Sequence, residues 1–193
     1  MDNLPTAYII IDADEINPAF RPWVDFGADL VANDGDPFGP ADYVGHGSEM
    51  TMVLNWATGQ GIVNDLNPFG YIRFGGHIQE LTEAITLAVD WAGDRELRIG
   101  IPWGSGIGDP TLYHALANLP DNVKVFAAVG NHGLEYASYP AAYGHLDQVI
   151  AVGARGGYSN AGGEVIFGGV AMFGWPVIGT SVATMEAMGQ WVN

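Results

Sequence analysis

Short, mainly apolar runs recur along the chain, and they leave room for few architectures. Residues 7–11, 97–101, 123–129 and 148–152 read as buried strands, because apolar stretches of this length suit a sheet covered on both faces. Residues 71–74 add another. Between the strands the period changes. Met50, Val53, Leu54 and Ala57 fall at helical spacing within 48–58, with Gly59 as a stop, and Ile78, Leu81, Ile85, Ala88 and Ala92 form a stripe ending at Gly93. Asp109-Pro110 supplies a cap and a first-turn proline for a helix running to Leu119. The alternation predicts an α/β fold with a largely parallel central sheet flanked by helices, and polar groups with chemistry gathered at the strands' carboxyl ends.

A chain of 193 residues is expected to form one domain, 1–193, with a core large enough to need no covalent staples. Cysteine is absent, so disulfides and thiolate metal sites are excluded. Twenty-two acidic residues against six basic ones give a net charge of −16, which repels phosphate backbones and anionic membrane surfaces. No nucleic-acid or membrane partner is expected. The imbalance reflects scarce cations, Lys124 being the only lysine. Met1-Asp2-Asn3-Leu4-Pro5 lacks the basic and apolar regions of a secretory signal, so the default expectation is a cytoplasmic protein. The uncharged stretch between Glu164 and Glu186 is broken by Gly168, Gly169, Gly174, Pro176 and Gly179, which argues against a membrane span. No sequence feature specifies an oligomeric state.

Chemistry concentrates in a few segments. Asp12 ends the first apolar run, His46 lies between Gly45 and Gly47 just ahead of a helical pattern, and Ser181 follows Gly179-Thr180 at the start of another. A serine hydroxyl is a poor nucleophile until an imidazole takes its proton, and the imidazole needs a carboxylate to hold its tautomer and its gained charge. Each residue also has a plainer reading. Ser181 suits a helix cap, His46 a tight loop, and Asn131 a turn in Gly130-Asn131-His132-Gly133. His77, His114, His132 and His145 form no recognisable metal spacing.

Together these segments closely resemble the signatures of the subtilisin-like serine peptidases, in which the order Asp, His, Ser is a family property. The likeness runs from Tyr8 to about Gly189 and includes 123–131, similar to the strand ending in Gly-Asn that supplies an oxyanion-hole amide. It implies a three-layer subtilisin-like fold, with Asp12, His46 and Ser181 as catalytic residues and Asn131 beside the Ser181 N–H as the oxyanion hole. Pro102, Trp103 and Gly104 resemble the segment that pairs with an extended peptide. Ala128, Val129 and Gly130, with Ala141, Ala142 and Tyr143, resemble the specificity-pocket walls; their small size beside Trp103 and Tyr143 suits an apolar substrate side chain. The implied activity is a serine endopeptidase acting on peptides or proteins through an acyl-enzyme, with no cofactor. The alternative is a catalytically impaired peptide-binding or scaffolding domain.

Departures from the family pattern are equally specific. Asp14 stands where glycine is usual, and pointing inward it would raise the pKa of His46. Glu49 replaces a second histidine, and only twelve residues follow Ser181, so the domain reads as short at its C-terminal end, with no prosegment visible. Asp29, Asp34, Asp36 and Asp42 form an acidic loop where some relatives bind calcium. Without a full ligand spacing, a solvated loop is the expectation and no metal is assigned. Asp12-Ala13-Asp14 also resembles the strand-end pair of haloacid-dehalogenase-type phosphatases, but the later adjacent acidic pair is missing and Lys124 is the sole lysine.

Overall fold

Seven strands run parallel in one sheet among the residues described, in the order Phe26–Asp29, Phe69–Arg73, Ala7–Asp12, Leu97–Ile101, Val123–Ala128, Val149–Ala154 and Val165–Phe167. The structure is a computed structural model and describes residues 4–59 and 67–191. The strands are β1 (Ala7–Asp12), β2 (Phe26–Asp29), β3 (Phe69–Arg73), β4 (Leu97–Ile101), β5 (Val123–Ala128), β6 (Val149–Ala154) and β7 (Val165–Phe167). The helices are α1 (His46–Ala57), α2 (Ile78–Ala92), α3 (Pro110–Ala117) and α4 (Thr180–Gln190), and an antiparallel hairpin of β8 (Val170–Met172) and β9 (Pro176–Ile178) precedes α4.

Successive side chains leave a strand on opposite faces, so a sheet covered on both sides needs two cores. On one face Tyr8, Ile10, Phe126 and Val152 pack with Met50, Val53 and Leu54 of α1 and Val182, Met185 and Met188 of α4. On the other, Ile9, Ile11, Ile99 and Val125 meet Leu81, Ile85 and Ala88 of α2 and Leu112 and Leu116 of α3. The three-layer α/β expectation holds. Asp109 caps α3 as its sequence predicts, accepting from the N–H groups of Thr111 and Leu112 at 2.8 and 3.0 Å.

α1 and α4 lie side by side. A Cβ placed on Gly189 near the end of α4 would sit 2.7 Å from the Ala57 Cβ at the end of α1, and each helix starts at the carboxyl edge of the sheet, His46 against Asp12 at the end of β1 and Thr180 against Gly130 just past β5. The far end of α4 rests on Arg98, which is 7% exposed and donates to the Met188 carbonyl at 3.2 Å. A cation there satisfies a carbonyl that the helix leaves unpaired.

Some elements differ from expectation. β3 begins two residues earlier than the apolar run suggests, and α1 starts at His46 itself rather than after it. The stretch between Glu164 and Glu186 holds β7, the β8–β9 hairpin and the start of α4. Among the described residues no helix is long and apolar enough to cross a membrane. β2 adds an edge strand whose last residue, Asp29, is only 4% exposed. Its carboxylate accepts from the N–H groups of Val31 and Ala32 at 2.7 and 2.9 Å and from Arg73 at 2.9 Å, so it is a structural group rather than part of a solvated loop.

Burial pushes the Asp29 carboxyl upward, but the Ala32 and Val31 amides and Arg73 outweigh it and hold it below its ordinary 3.8. A carboxyl lowered on folding adds stability above its unfolded value, and that contribution fades as pH falls through the folded value. Asp29→Asn is therefore expected to destabilise the protein at neutral pH and to flatten its loss of stability below about pH 4. Urea unfolding measured across pH tests this, and an acid limb as steep as that of the parent protein would contradict it.

Candidate active site

Asp12 comes to the site because β1 is central and ends there. Its side chain is 5% exposed, and Oδ2 lies 2.7 Å from Nδ1 of His46 at the first position of α1. The glycines on either side of this histidine have steric causes. A Cβ on Gly45 would collide with the Asp14 carboxylate and the Tyr43 ring, and one on Gly47 with the Tyr71 hydroxyl. The His46 side chain is 38% exposed. Partial burial pulls its pKa down, but the Asp12 hydrogen bond and charge, with weaker contributions from Glu49 and Asp14, leave it above 6.5.

Ser181 lies in the first turn of α4, one residue past Thr180. The cap position belongs to Gly179, so the serine is not a helix cap. Its hydroxyl donates to the Pro102 carbonyl at 2.9 Å, and no hydrogen bond joins it to His46 among the described residues. The Ser181 N–H likewise has no partner among the described residues, as first-turn amides of a helix commonly do not. Beside it, Asn131 Oδ1 accepts from the Thr180 N–H at 2.8 Å. Only the oxygen of an amide can accept from an N–H, so this bond orients the group and leaves Nδ2 free to donate.

The loop carrying Asn131 is held by Asn160, which sequence reasoning missed. This residue is 3% exposed, and its side chain accepts from the N–H groups of His132 and Leu134 at 3.0 Å each and donates to the Val129 carbonyl at 2.9 Å. Those partners lie 26 to 31 residues away, so no local window marks the residue. Gly130, at φ +104°, allows the turn and closes against Ser138 and Asn160. Its N–H reaches the Thr180 hydroxyl at 3.3 Å, a second tie between the loop and α4.

Pro102 and Trp103 continue β4 toward the site, the Trp103 ring standing edge-on to Phe74. Gly104 is exposed, and Ser105 exchanges two 2.8 Å backbone hydrogen bonds with Tyr139. Ala128 and Val129 are buried at the end of β5. Tyr143 packs with Tyr139 and Tyr113 and spends its hydroxyl on the backbone of Asp109, and Gly106, Tyr139 and Ala142, among others, line a cavity of about 520 Å³.

The two residues that depart from the family pattern both have partners. Asp14 Oδ2 accepts the His46 backbone N–H at 2.8 Å, so it faces the helix end rather than the ring. Glu49 accepts from the Trp175 indole at 3.0 Å, linking α1 to the β8–β9 hairpin. In the acidic loop, Asp36 pairs with Arg21 at 3.0 Å and Asp34 accepts from the Asp36 N–H at 3.0 Å. No cluster of three or more His, Asp or Glu among the described residues is arranged to hold a metal.

Neither a family model nor a curated protein sequence matches the chain. Solved structures do. A cold-adapted subtilisin-like serine proteinase superposes with a TM-score of 0.71 at 20% identity, over 98% of this chain and 74% of that one. Sphericase gives 0.66 at 21% identity, over 97% and 78%. The PatG macrocyclase in complex with peptide gives 0.58 at 18% identity, over 97% and 75%. The parallel sheet and the helix arrangement thus agree over nearly the whole chain, and the protein has the subtilisin-like fold.

Proposed function

We propose that the protein is a serine endopeptidase whose nucleophile is Ser181, whose general base is His46 and whose orienting carboxylate is Asp12. The observation that carries this reading is the 2.7 Å contact between the buried Asp12 carboxylate and Nδ1 of His46. It directs Nε2 of the neutral imidazole to act as the acceptor. In the reaction the Ser181 hydroxyl turns from the Pro102 carbonyl to His46, yields its proton to Nε2, and bonds to the substrate carbonyl carbon. The carbonyl oxygen takes the displaced electron pair, and the Ser181 N–H and Asn131 Nδ2 stabilise that charge. His46 then protonates the departing amine, leaving an acyl-enzyme. Water, deprotonated by the same imidazole, releases the acid. The peptide held by the macrocyclase of this fold supports a peptide as the ligand here.

The Ser181–Pro102 hydrogen bond favours a second reading, a peptide-binding domain whose hydroxyl stays turned away from the base. Covalent chemistry separates the two. A fluorophosphonate is expected to label the folded protein at Ser181 and not Ser181→Ala; binding of an extended peptide with neither labelling nor cleavage would establish the second reading instead. In the active case Asn131→Ala slows turnover by ~10²–10³, measured as kcat on a peptide ester.

The raised pKa of His46 sets the pH dependence. Only the neutral imidazole accepts a proton, so the labelling rate is expected to climb as pH rises through a midpoint above 6.5. Asp12→Asn removes the strongest upward influence on His46, and both the midpoint and the rate fall. A midpoint unchanged in Asp12→Asn would contradict the assigned role.

A further inference from the structure

Gly45 precedes α1 and has no side chain with which to cap it, yet the helix does not start uncapped. The cap arrives from the end of β1. Asp14 Oδ2 accepts the His46 backbone N–H at 2.8 Å, while Asp14 Oδ1 accepts from the Tyr43 hydroxyl and from the Glu15 N–H at 3.0 Å. The Asp14 carbonyl accepts from the buried Tyr71 hydroxyl at 2.7 Å, and Tyr71 is the ring against which Gly47 packs. A further pair of bonds closes the ring of contacts. Asn17 donates its backbone N–H to Ser48 Oγ at 2.9 Å and its side-chain amide to the Tyr43 carbonyl at 2.6 Å.

From this arrangement we infer that Asp14 is a positioning residue for His46: its carboxylate, clamped by Tyr43 and Glu15, anchors the first turn of α1 and so sets the imidazole against Asp12. Two carboxylates two residues apart thereby hold one histidine, Asp12 at the ring and Asp14 at the backbone. The inference rests on the reading of His46 as the general base. A negative charge at a helix start also favours the helix, since its first amides carry partial positive charge. The groups facing this corner are Asp12 and Asp14 from β1 and its following loop, Glu49 from α1, Tyr43, and Arg73 of β3, which is paired with Glu15 and Asp29 at 3.0 and 2.9 Å. Its contact with Asp14 pushes the Tyr43 hydroxyl up to about 12, so it stays a donor at all working pH values.

Two measurements on Asp14→Asn, Asp14→Gly and Tyr43→Phe test the inference. The first is the NMR titration of the His46 Hε1 resonance in a Ser181→Ala background, which needs no activity. Asp14→Asn keeps an acceptor for the helix but removes the charge, and its His46 midpoint is expected to fall, by less than in Asp12→Asn. The second is the rate of fluorophosphonate labelling with Ser181 intact. Asp14→Gly is expected to label roughly tenfold more slowly, with Asp14→Asn and Tyr43→Phe in between, because the acceptor they retain partly preserves the position of the histidine. If Asp14→Gly does not fold, the other two variants carry the comparison. Wild-type titration and wild-type labelling in these variants would overturn the inference. Failure of the parent protein to label would instead count against the peptidase reading, and the NMR titration would still decide the role of Asp14.

Discussion

Burial of the sheet on both faces governs the rest of this molecule. Side chains above and below the strands are committed to two apolar cores, so polar groups that must meet are confined to the strand ends. At the carboxyl edge, β1 ends in Asp12, β3 in Arg73 and β2 in Asp29, neighbours by sheet register. The same edge receives the starts of α1 and α4, whose first amides are taken by the Asp14 carboxylate and the Asn131 side chain. Polar groups gather there because the apolar cores leave them nowhere else to go.

Within that edge the site divides into two supported halves. One consists of His46 and the carboxylates around it, tied to β1 and to the loop holding Tyr43. The other consists of Ser181 and Asn131, tied together through Thr180 and braced by Asn160. The Ser181 hydroxyl is satisfied by the Pro102 carbonyl, and no hydrogen bond joins it to His46 among the described residues. A side chain buried with its donors and acceptors matched, such as Asn160, also holds its loop in one conformation, since any other would strand polar groups out of water.

Much of the fold was legible in the chain because its signals are local. The strands at the centre of the sheet are continuous apolar runs, α2 carries a clear stripe, and the Asp109-Pro110 cap of α3 is written in adjacent residues. β2, β7, β8 and β9 were not legible: each has only three or four residues and is largely half-buried or exposed, so neither period nor composition marks it. Motif order singled out the residues of the candidate site, but it did not mark the groups that support them. Asn160 acts over 26 to 31 residues, and the start of α1 is shifted to His46 by a cap lying 32 residues away. Long-range hydrogen bonds leave no periodic trace.

The seat of Arg98 beneath the last turn of α4 has one more implication. An α-helix resists compression along its axis far better than bending, so this 11-residue element acts as a strut of about 16 Å between the back of the sheet and the serine at its front. Its rear bearing is a guanidinium braced by Glu96 and lying over the Tyr8 ring. Axial slack at that bearing would be delivered, almost undiminished, to Ser181 at the other end.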